Sequence, residues 1–277
     1  MENYEKILQL WKNFNIKTYT KKGWGNMYKH HEESIKNMTA HYRENPHVKA
    51  LFLVGSVVTG TARPDSDIDG VAIITQEEYD RKKENEGTLE VVRGKCTYEG
   101  GYFDIHYHTR ADLIKIAESG SEPMRNLFTK AQVLFCDEPD LPTLVEKIQQ
   151  YPKKEAATKQ LRFYCTFKQF YRYFWVCCKP EGFARHHVIN GMIFNLYRLI
   201  LIENEILFPS MRKLEEAVIS APSKPENIIE KCHKLMKTQS DEDCYALIES
   251  YESWTTYNYP KEHNTVMNNF ADTWEWL

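Results

Sequence analysis

Apolar residues recur in two different rhythms along this chain, and the rhythm changes near Pro152. Before that point, short runs rich in β-branched residues alternate with polar, helix-permissive stretches. Residues 28–43 predict a helix that ends at the Asn45-Pro46 turn. The apolar run 48–54, stopped by Gly55, predicts a buried strand. A second strand is expected over 68–75, and Thr75-Gln-Glu-Glu78 fits a capping box that opens a helix. Residues 89–92 and 101–109 predict strands on either side of the turn-rich segment 94–100. Thr109-Arg-Ala-Asp112 then caps another helix, 122–130 reads as helix, and 132–136 as strand.

After Pro152 the apolar positions fall at three- and four-residue steps with little strand character. Helices are expected over 154–178, 184–204 and 210–220, in a piece opened by the box Ser223-Lys-Pro-Glu226, over 241–254, and in a C-terminal segment. The predicted fold class is therefore α+β: a mixed-sheet core over residues 1–152 and an all-α helical domain over 153–277.

Charge narrows the partners. The 36 Lys plus Arg against 39 Asp plus Glu leave a net charge of −3, so no overall field gathers nucleic acid and a general polyanion binder is disfavoured. Seven cysteines, an odd number without CxxC pairs, read as reduced thiols. Residues 1–12 lack a basic segment followed by an apolar run, and the most apolar stretches, 163–178 and 192–202, are interrupted by Lys168, Arg172, Asn195 and Arg198. The expectation is a soluble, cytoplasmic protein that does not enter a membrane.

Candidate chemistry sits between the first two strands. Strand alternation puts Asp67 and Asp69 on one side and Ile68 on the other. Two carboxylates that close repel unless a cation holds them, and magnesium, a hard ion that keeps water and substrate phosphates in its shell, suits such a pair. Gly55-Ser56 lets a phosphate approach the backbone. Gly60 and the Pro64-Asp65 turn fold the intervening residues back, bringing Arg63 within reach of the phosphates. A third carboxylate, Asp104, shares a strand face with His106 and His108. Three acidic groups from two strands suit a two-metal site, with Asp104 also placed to accept a proton from an attacking hydroxyl.

The pattern Gly55-Ser56, ten residues ending in Ser66, Asp67-Ile-Asp69, and a later strand Asp104 resembles the signature of the DNA polymerase beta-like nucleotidyltransferase superfamily. That resemblance implies a nucleotidyltransferase core. It implies Asp67 and Asp69 as ligands of both metals, Asp104 as a ligand of the catalytic one, and Ser56 in contact with the nucleotide phosphates. Gly55, Arg63 and Ser66 join Ser56 as candidate nucleotide contacts. The implied cofactor is Mg2+, with Mn2+ as a substitute, and an NTP is the co-substrate. The two-domain layout looks like the bacterial aminoglycoside and lincosamide nucleotidyltransferases, which points to a small hydroxylated, antibiotic-like acceptor bound with help from the helical domain. Nucleotidylation of RNA or protein, and a nucleotide-binding regulator without turnover, are the rival readings.

Other polar residues have two readings each. His106 and His108 serve either packing or chemistry, and Arg125 and Lys130 either a helix surface or a phosphate. Arg185, His186, His187, Asn190, Asn195 and Arg198 form either a substrate-facing set or a solvated face. The aromatic series Phe163, Tyr164, Phe167, Phe170, Tyr171, Phe174 and Trp175 reads first as helix core and second as a wall for the base or acceptor.

Overall fold

The structure, a computed structural model, describes residues 27–85 and 87–272. The reading of residues 1–12 lies outside the described residues. The chain divides into two compact units, Met1–Gln150 and Tyr151–Leu277.

In the first unit, α1 (Lys29–Arg43) leads into β1 (Val48–Leu53), the short helix α2 (Gly55–Thr59), β2 (Ile68–Ile74) and α3 (Gln76–Asn85). Then come β3 (Leu89–Arg93), β4 (Tyr102–His108), α4 (Arg110–Ser119), α5 (Glu122–Leu127), β5 (Gln132–Cys136) and α6 (Leu141–Ile148). The strands form one mixed sheet in the order β3-β4-β2-β1-β5. β2 and β4 run parallel, and the other neighbours run antiparallel.

Strand alternation gives the sheet two apolar faces. One, with Leu51, Leu53, Ile68, Ala72, Phe103 and Ile105, packs against Ile35, Met38 and Tyr42 of α1. The other, with Ala50, Phe52, Val71 and Ile73, packs against Leu113 and Ile116 of α4 and Leu141, Val145 and Ile148 of α6. Both central strands are covered on both sides, so their sequences read as continuous apolar runs. The expected box at the start of α4 is complete: Thr109 accepts from the Asp112 amide and Asp112 accepts from the Thr109 amide.

Two readings in this unit need correction. The helix expected over 122–130 stops at Leu127, and Lys130 takes a left-handed φ of 58° outside it. Arg125 is buried, not exposed: its guanidinium donates to the carbonyls of Ala117 (2.9 Å), Gly120 (3.1 Å) and Ile148 (3.4 Å). It pins the ends of α4 and α6 together, and no phosphate role remains for it.

The second unit is helical. α7 (Lys153–Gln169) passes without a break into a π-helical stretch, Phe170–Cys177. It is followed by α8 (Gly182–Glu203), the 3-10 turn Met211–Lys213, α9 (Leu214–Ile219), α10 (Ile228–Thr238), α11 (Asp241–Trp254) and α12 (His263–Ala271). The aromatic series forms core: Tyr164, Phe167, Phe170 and Trp175 are buried with Met192, Leu196, Leu247 and Tyr251. Gly191 admits Phe170, since a Cβ there would lie 2.3 Å from the Phe170 ring.

The box expected at Ser223 does not form. α10 begins four residues later from Asn227, which is left-handed at φ 53° and makes no side-chain cap, while the Ser223 amide donates to Asn204 Oδ1. Three of the six polar residues of the α8 series are structural, while His186, His187 and Asn190 are exposed. Asn195 donates to its own helix at Gly191 O (2.7 Å), and Arg198 is buried between the rings of Phe163 (4.6 Å) and Phe208 (4.2 Å). Arg185 lies 4.1 Å over the Trp175 ring and donates to Pro180 O and Gln239 O. All seven cysteines are free thiols. Among the described residues, no helix is long and apolar enough to cross a membrane.

Candidate active site

Three features of the first unit bring the carboxylates together. β2 and β4 are parallel neighbours in a register that sets Asp69 opposite Asp104. Alternation places both on the face shared with Val71, His106, Ile73 and His108. Asp67 immediately precedes β2 and joins them, so that one oxygen from each of the three carboxylates lies within 4.8 Å of the others. All three residues are partly exposed. Negative charges at that separation repel one another unless a cation offsets them, and an all-oxygen donor set of three carboxylates suits a hard divalent ion.

Gly55 closes one side of the cluster. It takes φ +74°, a conformation that disfavours L side chains, and a Cβ there would lie 1.9 Å from Asp69 Oδ2. The backbone after β1 therefore lies directly against the Asp69 carboxylate, and Val54 donates its amide to the Asp69 carbonyl at 3.1 Å. Ser56 follows in the first turn of α2, and its carbonyl accepts from the Thr61 amide at 3.0 Å.

The other two predicted nucleotide contacts have local partners. Ser66 Oγ accepts from the Arg63 amide at 2.9 Å and closes the 63–66 turn. The Arg63 side chain, 77% exposed, pairs with Asp65 at 3.1 Å. That guanidinium holds the Asp65 carboxyl below the usual carboxylate range.

His106 and His108 diverge although they share a face. His106 sits in register with Val71 and, across the antiparallel β3/β4 pair, with Leu89. His108 ends β4, with its ring 6.5 Å from Phe128, and burial lowers its pKa. A neutral, desolvated imidazole packed on an aromatic ring fits the packing reading of His108.

Sequence reasoning missed a group of aromatic residues beside Asp67. The Tyr102 hydroxyl hydrogen-bonds to Asp67, and the adjacent carboxylate raises the phenol pKa. The Tyr98 hydroxyl donates to the Ser66 carbonyl at 2.5 Å. The rings of His30 and His31 pack on Tyr98 at 4.6 and 5.2 Å. Tyr98 belongs to a turn-rich stretch with no periodicity, so the sequence holds no signal of which carbonyl it reaches.

Residues 33–140 match the family described as polymerase beta, nucleotidyltransferase. No curated protein matches the chain. Similar solved structures include a nucleotidyltransferase-like protein from Exiguobacterium sibiricum, 13% identical, covering 87% of each chain with a TM-score of 0.37. Another is spectinomycin adenyltransferase AAD(9) from Enterococcus faecialis with ATP and spectinomycin, 11% identical, covering 88% of this chain and 96% of that one with a TM-score of 0.30. The matched segment encloses Gly55, Asp67, Asp69 and Asp104, so the part of this chain that carries the carboxylate cluster is similar to the polymerase beta nucleotidyltransferase family.

Proposed function

We propose that this protein transfers a nucleoside monophosphate from an NTP to a hydroxyl of a small, antibiotic-like acceptor and releases pyrophosphate. The observation that carries the reading is the convergence of Asp67, Asp69 and Asp104 beside a left-handed Gly55, within a segment matched by the nucleotidyltransferase family. Asp67 and Asp69 would hold both divalent ions and Asp104 the one nearer the acceptor. Magnesium bound there, or manganese in its place, supplies positive charge against the triphosphate and lowers the pKa of the attacking hydroxyl.

The remaining work falls to the chain itself. Gly55, having no side chain, leaves room for the Asp69 carboxylate against the backbone, and Ser56 offers a hydroxyl and an amide to the phosphates. Arg63 is exposed and needs only to leave Asp65 to reach a phosphate, because an exposed ion pair of this kind contributes little. Ser66 shapes the turn that presents Asp67 and lends its hydroxyl to the nucleotide. Asp104 accepts the proton of the acceptor hydroxyl as the bond to the α-phosphate forms and pyrophosphate leaves. The helical unit contributes acceptor binding. The balanced charge of the chain favours a small molecule over RNA as acceptor.

The test is pyrophosphate release from ATP, GTP, CTP and UTP with Mg2+, against a panel of aminoglycosides, lincosamides and bulk tRNA. Asp67→Asn and Asp104→Asn run beside the wild type. Turnover with one acceptor, lost in both variants, is the expected result. Turnover with tRNA alone would replace the small-molecule reading by RNA modification. NTP binding without pyrophosphate release from any pairing would favour a non-catalytic regulator.

A further inference from the structure

Asp69 and Asp104 are held by the ladder between β2 and β4, but Asp67 is not, because β2 begins at Ile68. Its carboxylate, which the Tyr102 hydroxyl meets, reaches the cluster from the end of a turn-rich loop whose backbone is fixed from outside the sheet. The described residues supply a clamp of two parts.

The first part is the opening turns of α1. A ring nitrogen of His30 lies 2.9 Å from the Pro64 carbonyl, and the rings of His30, His31 and Tyr98 pack together. The second is the turn between β3 and β4. There Tyr98 donates to Ser66 O at 2.5 Å, one peptide from Asp67.

The turn is itself fastened to α1. The Thr97 amide donates to Ser34 Oγ at 3.0 Å, Thr97 Oγ1 donates to His30 O at 3.1 Å, and Asn37 donates to Lys95 O at 3.0 Å. The Tyr98 ring lies back over Gly101, where a Cβ would come within 2.6 Å of its Cζ. The phenol therefore points at the Ser66 carbonyl from a ring that has little freedom to swing away.

We propose that Tyr98 is a positioning residue for the cation site: by holding the Ser66 carbonyl, it sets the Asp67 carboxylate among Asp69 and Asp104. The proposal rests on the metal-site reading above. Its physical basis is that a carboxylate outside the sheet ladder loses conformational freedom when it binds a cation, and a pre-fixed peptide removes part of that cost.

The test is Mn2+ affinity of the full chain, measured by titration of free Mn2+ and by the Mn2+-dependent rise in melting temperature, for wild type, Tyr98→Phe and Asp67→Asn. Tyr98→Phe keeps the ring and its packing and removes only the hydroxyl. The expected result is a fall in Mn2+ affinity of about tenfold, with the metal-free melting temperature within a degree or two of wild type. Pyrophosphate release, where an acceptor has been found, should recover at saturating Mn2+, since the carboxylates themselves remain. A role confined to stability would lower the metal-free melting temperature and leave affinity alone. Wild-type affinity in Tyr98→Phe overturns the proposal while the metal site stands. Absence of Mn2+ binding by the wild type removes the metal-site reading, and the clamp's purpose falls with it. Should Tyr98→Phe fold poorly, Gly101→Ala, which crowds the same ring from the other side, must shift Mn2+ affinity in the same direction or the proposal fails.

Discussion

Asp69 of β2 and Asp104 of β4 sit directly opposite one another across a parallel strand pair. Such a placement gains nothing for folding, since like charges set side by side on a sheet face destabilise it. The cost is accepted where a ligand later offsets it. Asp69→Asn and Asp104→Asn are therefore expected to melt at or above the wild-type temperature in EDTA. With Mn2+ added, the wild type should gain about 2.7 kcal/mol at a concentration of 100 times Kd, and neither variant should gain as much. Thermal melts with and without Mn2+ decide the matter, and equal stabilisation of all three proteins would refute a cation site here.

Gly55 couples backbone conformation to the same carboxylates. Alanine at this position meets both an unfavourable φ and the Asp69 carboxylate. Gly55→Ala should lose about 1–2 kcal/mol of stability from the left-handed conformation alone. It should also lose the Mn2+-dependent rise in melting temperature, because Asp69 must move. Retention of full Mn2+ stabilisation would show that the carboxylate has room the geometry does not suggest.

Arg125 is a structural residue with three buried carbonyl partners. Replacing it with methionine fills much of the volume but leaves those acceptors without a donor. The expected loss is about 2–4 kcal/mol, read as a fall in urea midpoint. Pyrophosphate release per folded molecule should stay near the wild-type value. A large selective loss of turnover with unchanged stability would restore the phosphate role.

Arg198 lies between two aromatic rings in the helical unit. Lysine keeps the charge but not the planar group that stacks on both faces. Arg198→Lys should destabilise the chain by about 1–2 kcal/mol, and Arg198→Ala by more, through lost packing of the side-chain stem as well. Denaturant unfolding monitored by tryptophan fluorescence measures both. A lysine variant as stable as wild type would show that charge alone suffices.

His108 gives the fold an acid sensitivity. Burial lowers its pKa below the ordinary 6.5, so the unfolded chain takes up a proton more readily than the folded one as pH falls through that value. Its contribution to stability is full above about pH 6.5 and is lost on acidification, down to the depressed folded pKa. His106, which lowers the pKa further, and Asp112, which raises it, are the charged groups that act on it. Replacing His108 with phenylalanine should flatten the fall in melting temperature between neutral and mildly acidic pH. An unchanged slope would assign the sensitivity elsewhere.

Much of the scaffold was legible because its signals are local. The strand that ends at Leu53, the Gly55 turn and the strand that begins at Ile68 follow from side-chain period and turn chemistry. The Thr109–Asp112 box appears in the structure as the sequence predicts. The box read at Ser223 failed because the Ser223 amide is taken by Asn204, a partner nineteen residues away that no local pattern contains. Arg125 was misread for the same reason: a helix carrying one basic residue looks solvated until α6 is packed against it.

The carboxylates divide in the same way. That Asp67 and Asp69 project to one side is a property of a two-residue period and needs no fold. That Asp104 joins them depends on β4 pairing in parallel with β2, in a register that sets Asp104 opposite Asp69, and a one-residue slip would have sent it to the other face. The presentation of Asp67 by Tyr98 is more remote still, because a hydrogen bond across 32 residues between two turns leaves no trace in periodicity. The sequence by itself determined the residue types and their local facing, since those follow from backbone geometry over a few residues. Only the tertiary structure decided which of them meet, because register and turn packing are settled by the burial of both sheet faces together.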